Sequence, residues 1–182
     1  MRNLIITEFI SIDGIAEVEK LPSVTWNDEM QRFKEDELAD SGAMLLGRTT
    51  YEIFAGSWPK ETGDFADRFN ALPKYVASTS PKALDWKPAE LLKGVLPEAV
   101  RALKQGSGGN IYVHGSLSVA RVLRHGLVDR VRLLSYLAPS GRARSCSRPI
   151  CRWRWSRSRP YSSAMAWWRW NMRLGGCETL VG

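Results

Sequence analysis

The chain has 182 residues, of which 44% are hydrophobic, and a formal net charge of +7. This length suits one well-filled domain better than two. No apolar run is long enough to span a bilayer, and the amino-terminal apolar stretch is too short and too polar for a secretory signal. The three cysteines have neither C-x-x-C spacing nor neighbouring histidines, so they indicate neither a metal site nor a disulfide framework. We therefore expect a reduced, cytoplasmic protein.

The positive charge is confined to the last quarter of the chain. Residues 1–137 contain 17 Lys and Arg against 18 Asp and Glu, whereas residues 138–182 contain nine Arg, no Lys and one acid. Five of the eight tryptophans also lie in residues 138–182. The sequence therefore divides into an ordinary globular segment, 1–137, and an Arg/Trp-rich tail, 138–182.

Strand and helix patterns alternate through the globular segment. Apolar runs predict strands at 3–10, 43–47, 74–78, 110–114 and 128–137, with a further short strand near 86–92. Amphipathic spacing and start signals predict helices that begin near residues 25, 49, 64, 97 and 116. This alternation favours an α/β sheet that is mostly parallel.

Three of the predicted strand ends carry glycine or hydroxyl residues, at Gly47, Ser78 and Gly115. Thr49 or Thr50 is a candidate N-cap for the helix that follows the first of them. In a parallel sheet these turns would share one edge, where N–H groups and Arg48 could hold a long anion such as a dinucleotide. Taken singly, the turn at Gly47 favours an ordinary strand–helix junction in which Arg48 is solvated or paired with an acid.

Asp13 follows the first predicted strand, at the end where α/β sheets gather ligands. A carboxylate there could hydrogen-bond a nitrogen heterocycle or relay a proton. The alternative is a turn aspartate that bonds its own backbone. Neither G-x-G-x-x-G after a strand nor a P-loop motif is present.

The pattern as a whole resembles the dihydrofolate reductase-like superfamily. Within it, the similarity is to the branch that contains the C-terminal reductase domain of bifunctional riboflavin-biosynthesis (RibD-type) deaminase-reductases. The matching segments come in the family's order at residues 11–14, 45–52, 58–59, 73–78, 103–104, 113–116 and 126–129.

This resemblance implies an NADPH-dependent reductase that passes hydride to a pterin- or pyrimidine-like substrate, as in 5-amino-6-(5-phosphoribosylamino)uracil reduction. It also implies a homodimer. Asp13 would be the catalytic acid beside the nicotinamide, in a substrate pocket with Trp26, Tyr51 and Trp58. The residues implied to bind the cofactor are Gly47, Arg48, Thr49, Thr50, Ser78, Thr79, Gly115, Ser116 and Leu117.

The tail departs from the family, which would continue with a last pair of antiparallel strands. Trp and Met each have a single codon, so residues 167–172, read one base back, encode x-Val-Ala-x-Glu followed by Tyr or His if Arg169 uses a CGN codon. We therefore interpret 138–182 as an out-of-frame remnant of the last strands. The alternative takes the tail at face value, as a basic, aromatic surface that binds nucleic acid or another anionic surface. We favour the reductase, because its residues span the globular segment.

Overall fold

The computed structural model describes residues 1–11, 16, 26–79, 82–115, 124–136, 156–157 and 168–173. The strands are β1 (Leu4–Ser11), β2 (Ser41–Gly47), β3 (Lys74–Ala77), β4 (Ala89–Leu91), β5 (Asn110–His114), β6 (Arg130–Tyr136), β7 (Ser156–Arg157) and β8 (Trp168–Arg173). The helices are α1 (Asp28–Asp40), α2 (Arg48–Ser57), α3 (Asp64–Ala71) and α4 (Leu96–Gln105), with a 3-10 turn at Trp58–Lys60. The predicted helix after Gly115 falls mainly on residues outside this description, as do the predicted site residues Asp13, Ser116 and Leu117.

The strands form one sheet in the order β4-β3-β2-β5-β1-β6-β8-β7. The six strands from β4 to β6 in this order are all parallel to their neighbours. Strand β8 runs antiparallel to β6, and β7 runs antiparallel to β8. The predicted mostly parallel α/β sheet is thereby confirmed, and the two strands of the tail form its edge.

The central strands are apolar because helices cover both faces of the sheet. Leu45 and Leu46 of β2 and Val113 of β5 are almost fully buried. One core cluster, which includes Leu45 and Val113, packs around Val100 of α4, and a second, which includes Leu46, packs around Phe69 of α3. Each large apolar side chain buried in this way contributes about 1.5–3 kcal/mol. Within the described residues, every helix falls short of the length and apolarity needed to cross a membrane.

The start of α2 differs from the prediction. Neither Thr49 nor Thr50 is the N-cap; the cap is Gly47, without a side-chain bond, and the helix begins at Arg48. The extended backbone of Gly47 (φ −78°, ψ 163°) carries the chain directly from β2 into the helix. Because no linker separates the two elements, the threonines lie inside the first helical turn rather than before it.

Candidate functional site

Three parallel strands end side by side on one edge of the sheet. The last residues of β2 and β3 are paired in register, and the last residue of β5 is paired one position earlier on β2. The residues that follow these strands, Arg48, Ser78 and Gly115, therefore leave the sheet together. We call this region the carboxyl edge. It agrees with the expectation that the three turns share an edge, and ligands of open α/β sheets bind at such an edge.

The Arg48 guanidinium connects α2 to the segment after β3. Its Nε donates to the Ser78 hydroxyl at 3.2 Å, and one terminal nitrogen donates to the Lys82 carbonyl at 3.0 Å. The neighbouring Thr49 and Thr79 side chains are exposed to solvent. The structure thus gathers a fixed cation and hydroxyl groups at one point, a combination suited to binding phosphate.

Arg48 also lines a cleft of about 640 Å³ between α2 and residues 82–86. Tyr51 and Trp86 form part of its wall, and Lys82 contributes a second cation. This volume lies in the range typical of small-molecule sites. The cleft therefore lies next to the carboxyl edge and shares Arg48 with it.

Position 115 requires glycine for two reasons: its backbone conformation and the lack of space for a side chain. Its φ of +94° lies in the region that side chains disfavour. A Cβ at this position would overlap the hydroxyl of Thr50. The turns after β2 and β5 are therefore in direct contact, and only glycine permits that contact.

Glu8 of β1 places a carboxyl group beside the same turn. Burial raises the pKa of Glu8 from 4.5 to about 7, although the Gly115 backbone N–H and the Lys34 ammonium both act to lower it. Within the described part of the chain, its Oε1 is the one buried side-chain nitrogen or oxygen that has no hydrogen-bond partner. The carboxyl edge thus contains an acid that titrates near neutral pH.

A second polar group lies where α1 crosses β1. The Lys34 ammonium donates to the Thr7 hydroxyl and to the Glu37 carboxylate, both at 2.8 Å. The Thr7 hydroxyl in turn donates to Glu37 at 2.9 Å. Burial, assisted by the Lys34 charge, lowers the pKa of His114 to about 3, so this imidazole is neutral at physiological pH. Lys34 and His114 also line a small cavity between α1 and the sheet.

The three predicted aromatic pocket residues lie in two places. Trp26 lies beside β1 and is 50% exposed. Tyr51 is buried, and its hydroxyl accepts a hydrogen bond from the Trp86 backbone N–H at 2.7 Å. Trp58 packs on Phe69 with ring centroids 4.3 Å apart. The structure does not bring Trp26 together with the other two, which belong to the aromatic cluster of α2 and α3.

Sequence reasoning did not single out Glu8 or Lys34 as site residues, and it took His114 mainly as the end of a strand. Glu8 interrupts an otherwise apolar and hydroxyl-bearing strand, which was an available signal for a special acid. Lys34 gave no such signal, because a lysine in an amphipathic helix normally lies on the solvent side.

The chain was compared with protein families, solved structures and curated proteins. The RibD C-terminal domain family matches residues 2–140. The crystal structure of a protein assigned to riboflavin biosynthesis in Shewanella sp. PV-4 is 13% identical; the match covers 94% of this chain and 98% of that chain, with a TM-score of 0.72. Dihydrofolate reductase from Enterococcus faecalis, solved with NADP(H) and RAB-propyl, is 14% identical over 94% and 95% of the two chains, with a TM-score of 0.64. No curated protein matches the chain.

At these identities the two solved structures show that the fold is shared, and nothing more. The family match, over residues 2–140, covers most of the chain and therefore shows the family. The matched residues include all three turns of the carboxyl edge. The chain belongs to the RibD C-terminal domain family and has the dihydrofolate reductase-like fold.

Proposed function

We propose that this protein is an NADPH-dependent reductase that transfers hydride to a C=N bond, or a ring-opened sugar imine, of a pterin- or pyrimidine-like substrate. The family and the fold support a reductase of the riboflavin-biosynthesis type. The observation that carries the proposal is the meeting of three strand ends, through the Arg48–Ser78 hydrogen bond and the Thr50–Gly115 contact.

The residues at the carboxyl edge fit a nicotinamide dinucleotide. Arg48, Ser78 and Thr79 supply charge and hydroxyl groups for phosphate, including the 2′-phosphate that distinguishes NADPH from NADH. The missing side chain of Gly115 lets Thr50 pack against the turn after β5, so that the two turns could hold the pyrophosphate together, and Ser116 and Leu117 would continue that contact. The cofactor supplies the hydride, so the protein's part is to bind, orient and exclude water.

The substrate would lie next to the nicotinamide, near the carboxyl end of β1 and helix α1. Asp13, two residues after β1, is our candidate for the acid that hydrogen-bonds the heterocycle and holds a proton for the reduced nitrogen. Trp26 is exposed on the same side and can contact a planar ring. Tyr51 lines the cleft beside Arg48 and Trp58 packs on Phe69, so we do not place these two predicted pocket residues against the substrate.

Two measurements test this function. NADPH titrated into the full chain should quench tryptophan fluorescence, with weaker quenching by NADH. Loss of NADPH absorbance should then depend on a pyrimidine or pterin imine, and the Asp13→Asn variant should slow this reaction more than it weakens NADPH binding. Absence of binding by either nucleotide would contradict the proposal.

We also propose that residues 1–137 form the reductase domain and that the tail is the altered end of the same domain. The family match stops at residue 140, close to the change in composition. Strand β8, at residues 168–173, pairs with β6. It overlaps residues 167–172, whose codons, read one base back, encode a strand-like sequence. Sequencing the gene from an independent isolate tests this: an intact frame that encodes the same tail would contradict it.

A homodimer, which the family resemblance implies, is testable by light scattering.

A further inference from the structure

One half-buried acid, Glu8, has no structural role that explains it. Glu8 of β1 is paired with Leu133 of β6 and lies beyond Ile6, the last residue of β1 that pairs with β5; an apolar residue at this position would pack without cost. Its Oε1 is buried and, within the described residues, lacks the hydrogen bond that buried oxygens normally make. Such an unsatisfied group destabilises the fold, so a functional reason is expected.

The surroundings of Glu8 connect it to the carboxyl edge. On the β5 side, the backbone N–H of Gly115 hydrogen-bonds to the carboxyl group and lowers its pKa. From α1, the positive charge of the Lys34 ammonium also lowers it. On the β6 side, Glu8 is paired with Leu133, whose side chain carries no charge. Among the described residues, Lys34 is therefore the charged group whose field reaches Glu8. The acid and the proposed phosphate site share the Gly115 turn.

A phosphate bound at that turn would repel an ionised Glu8. Because both groups compete for the same backbone N–H and lie in a partly desolvated region, the repulsion is not screened as it would be in water. A protonated carboxyl removes the repulsion and offers a donor in place of a second anion.

We propose that Glu8 couples proton uptake to cofactor binding: its carboxylate takes a proton from solvent when a nicotinamide dinucleotide places its phosphates beside Gly115. This inference rests on the proposed function. It makes affinity for the dinucleotide depend on pH through a residue that need not touch the substrate. The neutral-range pKa of Glu8 puts this titration within the physiological pH range.

Calorimetric titration of NADPH into the full chain tests the proposal without any variant. In two buffers of different ionisation enthalpy at pH 7.5, the difference in heat gives the protons taken up. We expect roughly half a proton per site, and about tenfold weaker binding at pH 9 than at pH 6, if binding raises the pKa of Glu8 by about one unit. A parallel titration with NADH removes the contribution of the 2′-phosphate, which itself ionises near pH ~6.

The Glu8→Gln variant mimics the protonated side chain. It should bind NADPH at pH 9 as tightly as the wild type does at pH 6, without proton uptake. Glu98→Gln, which changes an exposed acid on α4, is the matched control and should behave like the wild type. NADPH binding without proton uptake by the wild type, or an unchanged pH dependence in Glu8→Gln, would overturn the inference. Absence of any dinucleotide binding would instead overturn the proposed function.

Discussion

The two edges of the sheet use similar residues for different purposes. At the amino edge, where β1, β5 and β6 begin, Lys104 donates to the Leu127 carbonyl at 2.7 Å and to Asp129 at 2.6 Å. Asp129 also accepts from the Leu4 backbone N–H at 2.7 Å, and Arg2 donates to the main chain of the turn before β5. These polar groups join α4 to the starts of the strands, so their charges are used within the fold.

At the carboxyl edge the polar groups are gathered but not all are satisfied. Arg48 bonds a hydroxyl and main-chain carbonyls, while a carboxyl oxygen of Glu8 has no partner among the described residues. The comparison indicates that the amino edge maintains stability and that the carboxyl edge retains capacity for a ligand. Substitutions at the two edges should therefore separate stability from binding.

The largest effect is expected for Gly115→Ala. A side chain there is strained at φ +94° and overlaps Thr50, so the free energy of unfolding should fall by about 3 kcal/mol and NADPH affinity by at least about tenfold. Gly94→Ala is the matched control, since its φ is +83° but no atom lies within 4 Å of the added Cβ. It should cost about 1 kcal/mol and leave affinity unchanged. Urea unfolding and NADPH titration measure both quantities.

The next effect is expected at the amino edge, for Lys104→Met. Loss of the ammonium removes a donor from the Leu127 carbonyl and leaves Asp129 with the Leu4 backbone N–H as its remaining donor. Asp129 is 33% exposed, so we expect a loss of about 2–3 kcal/mol in unfolding free energy rather than the full cost of a buried charge. NADPH affinity of the folded protein should not change. An equal loss of affinity would mean that the two edges are not functionally distinct.

A smaller effect is expected for Arg48→Ala. Removal of the guanidinium should weaken NADPH binding about tenfold or somewhat more, because a charge-assisted contact to phosphate is lost. NADH should be affected less if Arg48 contacts the 2′-phosphate. Arg101→Ala on the exposed side of α4 serves as the control. Fluorescence titration gives the dissociation constants, and equal losses for both nucleotides would exclude a 2′-phosphate contact.

The last prediction concerns how stability depends on pH. The folded-state pKa of Glu8, about 7, lies above its ordinary value of 4.5. The folded protein therefore holds a proton that the unfolded chain has lost, and this stabilisation disappears as pH rises through 7. Glu8→Gln should consequently stabilise the fold at pH 8 by about 1–3 kcal/mol and by little near pH 4.5. Thermal unfolding across this range measures the difference, which a pH-independent offset would contradict.

Much of the architecture was predictable from residue pattern. Apolar runs such as that of β2 follow from burial on both faces, and turn glycines such as Gly115 follow from backbone conformation. The cap of α2 was not predictable, because threonines favour that position and only the absence of a linker moved the cap to Gly47.

Parts of the candidate site depended on tertiary structure. The contact between Thr50 and Gly115 joins residues distant in sequence. The strand pattern marks Glu8 as unusual, but the shift of its pKa depends on burial in the folded sheet. Tyr51 and Trp58 carry aromatic side chains that suit a core and a pocket equally well, so composition did not separate these uses.

Hydrogen–deuterium exchange with and without NADPH tests the contrast between the two edges most directly. Protection is predicted in peptides that cover residues 47–51, 77–83 and 114–118, with no change in peptides that cover 101–110 and 127–130. Protection confined to the amino edge or to the tail, or no protection at saturating NADPH, would contradict the account.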